Sequence, residues 1–188
     1  MLKDEARKYL LSKRQNLSLI DCVKWDDLLL IQFQRLDWSS TRIIGSFYPM
    51  EKHNEPNTVL FTSYLQQFIP DLIIAYPVID TSSHTMQFYE ATDALTVNSL
   101  GIHEPVKQNI IPNADIDTFL VPLLGFELNG HRIGFGKGYY DKYFSTCIHP
   151  HHRIGISYFD PIPNLIDTHE FDVPLTHCIT PWNSYEFE

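Results

Sequence analysis

Arg42-Ile43-Ile44-Gly45-Ser46-Phe47-Tyr48-Pro49 is a short apolar run cut off by proline, and Asp71-Leu72-Ile73-Ile74-Ala75-Tyr76-Pro77 is a second. Each is rich in β-branched and aromatic residues and bounded by turn formers, which predicts a buried strand ending at its proline. Between them, residues 57–68 have the length and composition of a helix. Strand, helix and strand make a βαβ unit, and a helical crossover of that length favours parallel pairing. The expected class is therefore α/β, a layered fold with a largely parallel central sheet flanked by helices.

Residues 3–16 are good helix formers without Gly or Pro, and Asp4 and Lys8 add an i,i+4 ion pair. Ser18 is placed to cap a second helix reaching about Leu36, so an N-terminal helical pair precedes the first strand. Further strands are expected over residues 85–89, 118–124 and 153–158, with a short helix over 139–144. No internal repeat, low-complexity tract or linker divides the chain, so residues 1–188 are expected to form a single domain.

Composition narrows the function. At 44% hydrophobic and 20% charged, with 12 Phe and 10 Tyr, the 188 residues can build a sizeable core. A formal charge of −9 and only 14 Lys and Arg argue against general affinity for nucleic acid, so an anionic ligand must be met locally. Apolar runs such as Leu28-Leu29-Leu30-Ile31 are far too short to span a bilayer, and the charged N-terminus lacks a secretory core, so no membrane association is expected. Cys22, Cys147 and Cys178 are odd in number and widely spaced, which points to a reducing cytoplasm. Without heptads or a long apolar face, a monomer is expected.

Gly134-Phe135-Gly136-Lys137-Gly138-Tyr139-Tyr140-Asp141 carries the strongest chemical signal. Glycines allow positive φ and close approach of backbone amides, which then cradle phosphate oxygens, and Lys137 supplies a full charge. The spacing is neither GxxxxGK[ST] nor GxGxxG, because Tyr139 stands where the latter needs its third glycine. A solvated glycine turn remains an equal alternative on spacing alone. Asp141 beside such a cradle reads either as a Mg²⁺ ligand or as a helix-start carboxylate. On the first helix, Lys3, Arg7, Leu10 and Arg14 share a stripe, and the like-charge pair Lys3–Arg7 costs roughly 0.2–0.5 kcal/mol unless an anion or a solvated face relieves it. His149-Pro150-His151-His152 lacks metal-ligand spacing, and Ser82-Ser83-His84 lacks the turn of a hydrolase nucleophile.

Around the loop, Tyr48-Pro49, Glu55, Met86-Gln87-Phe88, Gly101-Ile102-His103-Glu104-Pro105 and Asp172-Val173-Pro174-Leu175 follow Lys3 and Arg7 in order. Their order and types resemble the 5-formyltetrahydrofolate cyclo-ligase family, also called methenyltetrahydrofolate synthetases, over essentially the whole chain. The most specific part runs from Val121-Pro122 through Gly130-His131-Arg132-Ile133-Gly134 to Tyr139-Tyr140-Asp141-Lys142.

The resemblance implies an ATP- and Mg²⁺-dependent ligase that converts 5-formyltetrahydrofolate to 5,10-methenyltetrahydrofolate with release of ADP and phosphate. It implies that Lys3, Arg7, Arg132 and Lys137 reach the ATP phosphates, with Arg132 and Lys137 as the catalytic cations. Ile133, Gly134, Phe135, Gly136, Gly138, Tyr139 and Tyr140 would complete the nucleotide site. Met50 and Glu55, with Phe135 and Tyr139, would contact the folate, and Asp141 and Asp172 would hold Mg²⁺. Two other functions stay open here: a nucleotide- or folate-binding relative without turnover, and a phosphosugar isomerase-like enzyme, which needs neither ATP nor metal carboxylates.

Overall fold

The structure is a computed structural model that describes residues 1–162 and 167–187. Helices α1 (Lys3–Gln15) and α2 (Leu19–Phe33) come first, and the Ser18 hydroxyl caps α2 by accepting from the Asp21 N–H at 3.1 Å. The expected βαβ unit follows as β1 (Ile43–Gly45), α3 (Thr58–Phe68) and β2 (Ile73–Asp80). Then come β3 (Thr85–Glu90), β4 (Leu95–Val97), β5 (His103–Pro105), β6 (Ile110–Ile111) and β7 (Thr118–Val121). The chain continues with β8 (Gly125–Phe126), β9 (Arg132–Ile133), α4 (Tyr139–Phe144), β10 (His152–Ile156), β11 (His177–Ile179) and β12 (Ser184–Glu186).

Eight strands form one sheet in the order β12-β11-β10-β7-β1-β2-β3-β6. The five central strands, β11 to β2 in that order, are all parallel; β12 at one edge and β3 at the other run antiparallel to them, and β6 pairs antiparallel with β3. Successive residues of a strand face opposite sides, and the core obeys this. Ile74, Tyr76, Leu120, Ile154 and Ile156 pack with Ala6 and Leu10 of α1, Leu29 and Phe33 of α2, and Phe61 and Leu65 of α3. Ala75, Phe119 and Val121 face the other way, toward Tyr139, Tyr143 and Phe144 of α4. Gly45 has no room for a side chain, since a Cβ there would lie 2.6 Å from the Phe119 ring and 2.9 Å from Phe88.

Several elements differ from the sequence expectation: β1 ends at Gly45, ahead of Pro49, α2 ends at Phe33 and β10 at Ile156. β2 runs through Pro77, because β1 ends opposite Ala75 and Pro77 has the same orientation as Ile79, whose N–H points away from β3 to the Glu104 carboxylate at 2.8 Å. A missing N–H on that side removes no ladder bond. β7 stops at Val121, ahead of Pro122, and the β8–β9 hairpin lies between it and the glycine loop, too short to leave a periodic signal. Among the described residues, no helix is long and apolar enough to cross a membrane.

Candidate active site

In parallel sheets, ligands collect at the carboxyl ends of strands where the winding order reverses. Here that point lies between β1 and β7: from β1 the chain winds outward to β2 on one side, and β7 opens the other side. A cleft of about 530 Å³ opens there, lined by Phe47, Tyr48 and Met50 after β1 and by Pro122 after β7. Pro77 and Ile79 of β2, with Leu100 and Ile102, form an apolar wall. That wall is held by the Glu104 carboxylate, buried against the Ile79 N–H and Asn98 Nδ2, each at 2.8 Å.

The glycine loop forms the facing wall. Gly136 and Gly138 have φ of +81° and +69°, in the left-handed region, so the loop turns back on itself and Gly138 caps α4. At Gly134 and Gly138 an added Cβ would meet nothing within 4 Å, whereas at Gly136 it would lie 3.2 Å from the Arg7 guanidinium carbon. Lys137 is exposed at the rim, and its ammonium makes no hydrogen bond or ion pair among the described residues. From the β2–β3 turn, His84 approaches the loop: Nε2 lies 3.0 Å from the Lys137 carbonyl, and its ring lies 4.5 Å from that of Tyr139.

Cations and carboxylates alternate along one side of the cleft. Lys3 pairs through Nζ with Asp172, while Arg7 pairs with Asp4 and donates from Nε to the Gly134 carbonyl at 3.1 Å. Two carboxylates of the protein, Asp172 and Asp4, thus offset the like charges of Lys3 and Arg7. Arg132 is nearly enclosed and donates to the Val173 carbonyl at 2.6 Å and to Asp141 Oδ1 at 2.7 Å. Burial lowers the Arg132 pKa, and Asp141 opposes that shift. Burial raises the Asp172 carboxyl, but the His169 amide and Lys3 outweigh it and leave it below its ordinary value.

At the floor, Glu55 is 8% exposed. Its Oε2 accepts the Met50 N–H at 2.8 Å, and its Oε1 has no hydrogen-bond partner. Burial pushes the carboxyl up, opposed by Arg14 and the Met50 amide. Tyr48 stacks on Tyr76 at 3.8 Å, and Phe135 leans against His53 at 5.2 Å, so flat ring surfaces line the same cleft as the carboxylate.

One cleft thus gathers Lys3, Arg7, Met50, Glu55, Arg132, Gly134 to Asp141 and Asp172. Ile133 is the exception: its side chain is fully buried in the core and its carbonyl accepts the Leu124 N–H at 2.7 Å, so the residue does not line the cleft. Asp167 and His169 also line it, without any spacing in the sequence to announce them. Asp141 and Asp172 suit a hard cation that takes two carboxylates and completes its shell with phosphate and water oxygens. Among the described residues no group of three or more His, Cys, Asp and Glu is placed to hold a metal ion.

A sequence profile described as the 5-formyltetrahydrofolate cyclo-ligase family matches residues 2–181. The chain belongs to that family. A 5-formyltetrahydrofolate cyclo-ligase of Mycoplasma pneumoniae is 28% identical over 163 residues, 84% of this chain and 86% of that protein. The mouse enzyme of the same name is 38% identical over 120 residues, 59% of this chain and 57% of its own. A solved 5,10-methenyltetrahydrofolate synthetase from Mycoplasma pneumoniae superposes with a TM-score of 0.78 at 28% identity, covering 96% of this chain and 99% of the other. The synthetase from Aquifex aeolicus gives 0.78 at 26% identity, covering 99% and 93%. By family the protein is a ligase that converts 5-formyltetrahydrofolate to 5,10-methenyltetrahydrofolate. The phosphosugar isomerase-like alternative falls away.

Proposed function

We propose that the cleft closes the folate ring by phosphorylating the formyl oxygen with ATP, and that Mg²⁺ accompanies the nucleotide. The carrying observation is that the glycine loop, four cations and the Asp141 and Asp172 carboxylates share one cleft with the buried Glu55 acceptor.

N10 must attack the N5-formyl carbon while oxygen departs, yet a formamide carbon is a weak electrophile and oxide does not leave. Transfer of the γ-phosphoryl group to the formyl oxygen, with ADP released, makes an iminium phosphate. N10 then bonds to that carbon and loses its proton, and phosphate carries the formyl oxygen away. In phosphoryl transfer the protein mainly positions reactants and stabilises spreading charge.

Each residue has a part in this scheme. The backbone amides from Gly134 to Gly138 receive the phosphates, and Lys137, unpaired among the described residues, swings onto the transferring group. Arg132 and Arg7 sit against the loop as further cations, and Lys3 approaches from the start of α1. Mg²⁺ held by Asp141 and Asp172 would neutralise phosphate charge. Glu55 Oε1 accepts from the N–H edge of the pterin, beside Met50, with Phe135 and Tyr139 between the two ligands. The continuous sheet, cored on both faces, supports a single domain.

The experiment is a spectrophotometric assay. Purified protein with 5-formyltetrahydrofolate, ATP and Mg²⁺ should generate the near-ultraviolet absorbance of the methenyl product, and omission of any one should abolish it. Product formed equally without ATP would overturn the scheme, and protein that binds ATP but forms no product would mark a binder without turnover.

A further inference from the structure

Arg14 shares the buried face of α1 with Lys3 and Leu10, yet it lies under the cleft and does not line it. Its Nη1 donates to the Leu123 carbonyl at 2.8 Å, and its Nη2 stands 3.8 Å from Glu55 Oε1. Arg14 Nε, Arg14 Nη2 and Glu55 Oε1 are all buried without a hydrogen-bond partner. As a purely structural device this is poor: a buried ion pair seldom repays its desolvation, and each unmade hydrogen bond adds a cost. An apolar pair of the same volume would stabilise the fold at least as well.

We propose that Arg14 is a positioning residue for folate recognition, holding Glu55 as an ionised and oriented acceptor. The proposal rests on the reading of Glu55 as the acceptor of pterin N–H groups. Orientation follows from the two ends of the carboxylate: the Met50 amide holds Oε2, which leaves Oε1 turned toward Arg14. Arg14 is itself held in register by Asn54, whose Nδ2 donates to the Arg14 carbonyl at 3.1 Å and the Leu17 carbonyl at 3.4 Å. Asn54 adopts φ +47° and ends the short turn Glu51–His53, so one turn positions both partners of the pair. The guanidinium carbon also lies 5.6 Å from the Phe135 ring centre, which couples the pair to the glycine loop.

Ionisation follows from the same geometry. An aminopyrimidinone edge offers neighbouring N–H donors, and a carboxylate can accept both, whereas a protonated carboxyl turns one oxygen into a donor. The charged and titratable groups facing Glu55 are Arg14 from α1 and Tyr140 from α4, with His53 beside Arg14. Only Arg14 is a permanent cation. Without it, burial would be opposed only by the Met50 amide and would carry the carboxyl toward the neutral form.

The test measures equilibrium binding of 5-formyltetrahydrofolate from pH 7 to 9, with ATP binding and circular dichroism as controls. The unaltered protein should bind folate with flat pH dependence. Arg14→Met, similar in volume but neutral, should fold, bind ATP as before and lose roughly tenfold in folate affinity at pH 7, recovering as pH rises. Arg14→Lys should restore the flat profile. Equal weakening of Arg14→Met at every pH, or none, would overturn the proposal. Should Arg14→Met fail to fold, carbon-13 detection of the glutamate carboxylates in the unaltered protein, with Glu55→Gln to assign the signal, decides: Glu55 should be ionised at pH 7, and a neutral Glu55 would overturn the proposal. Glu55→Gln should weaken folate binding throughout; full affinity in that variant would instead remove the underlying reading of Glu55, independently of Arg14.

Discussion

Arg132 donates from Nη2 to Oδ1 of Asp141 at 2.7 Å, so a cation and a carboxylate of the cleft hold each other before any ligand arrives. The same oxygen accepts the Val173 N–H at 3.1 Å, which ties α4 to the chain leading into β11. Asp141→Asn keeps an acceptor for both donors and removes only the charge. The fold should be kept with a lower thermal midpoint, because the enclosed Arg132 loses its counter-charge, while turnover at fixed Mg²⁺ falls on the order of a hundredfold. Turnover and Mg²⁺ dependence that do not change would take Asp141 out of the site.

Lys137 offers a cleaner separation of function from stability. Because its ammonium has no protein partner among the described residues, Lys137→Met should leave the unfolding free energy from urea titration within about 0.5 kcal/mol of the unaltered value. The rate should drop by roughly a hundredfold or more, since the charge is aimed at the transferring phosphoryl group. Stopped-flow single turnovers separate chemistry from binding, and a full single-turnover rate would show that Lys137 serves only as a surface charge.

Gly136 and Gly138 share a left-handed backbone but differ in their surroundings. Alanine at either should cost about 1–2 kcal/mol of stability from backbone strain. Only Gly136→Ala also presses on Arg7, whose guanidinium carbon would stand 3.2 Å from the new Cβ. Calorimetric ATP titration should therefore find Gly136→Ala the weaker binder at comparable stability. Equal affinities would remove Arg7 from the nucleotide site.

The tie between Lys3 and Asp172 sets a pH dependence of stability. Asp172 has a folded-state pKa below its unfolded value, burial being outweighed by the His169 amide and Lys3. Its contribution is therefore present above the unfolded value of about 3.9 and is lost as pH falls through the folded one. Denaturant midpoints of the unaltered protein and Asp172→Asn should differ at pH 7 and converge as pH falls from about 5 toward 2. A constant gap down to pH 2 would contradict the assignment.

The parts of this molecule legible in the sequence are those whose residues act through type and local spacing. The glycines of the loop are needed at Gly136 and Gly138 for positive φ, and Ile43–Gly45 and Ile73–Asp80 announce buried strands by their apolar runs. Elements fixed by distant partners were not legible. Pro77 looked like a strand end because nothing local reveals that its missing N–H faces where β1 has already stopped. The hairpin of β8 and β9 has two residues per strand, too few for a period, and Ile133 between Arg132 and Gly134 turns into the core by simple alternation. Glu104 and Arg14 matter through partners 25 and 41 residues away, Ile79 and Glu55, a pairing no local pattern encodes.

The central claim is that the formyl oxygen leaves on phosphate. Substrate labelled with oxygen-18 in the formyl group, turned over with ATP in ordinary water, gives the most direct test by mass spectrometry of the released phosphate. One labelled oxygen per phosphate is the expected result. Unlabelled phosphate, with the label recovered in water, would contradict phosphorylation of the formyl oxygen in this cleft.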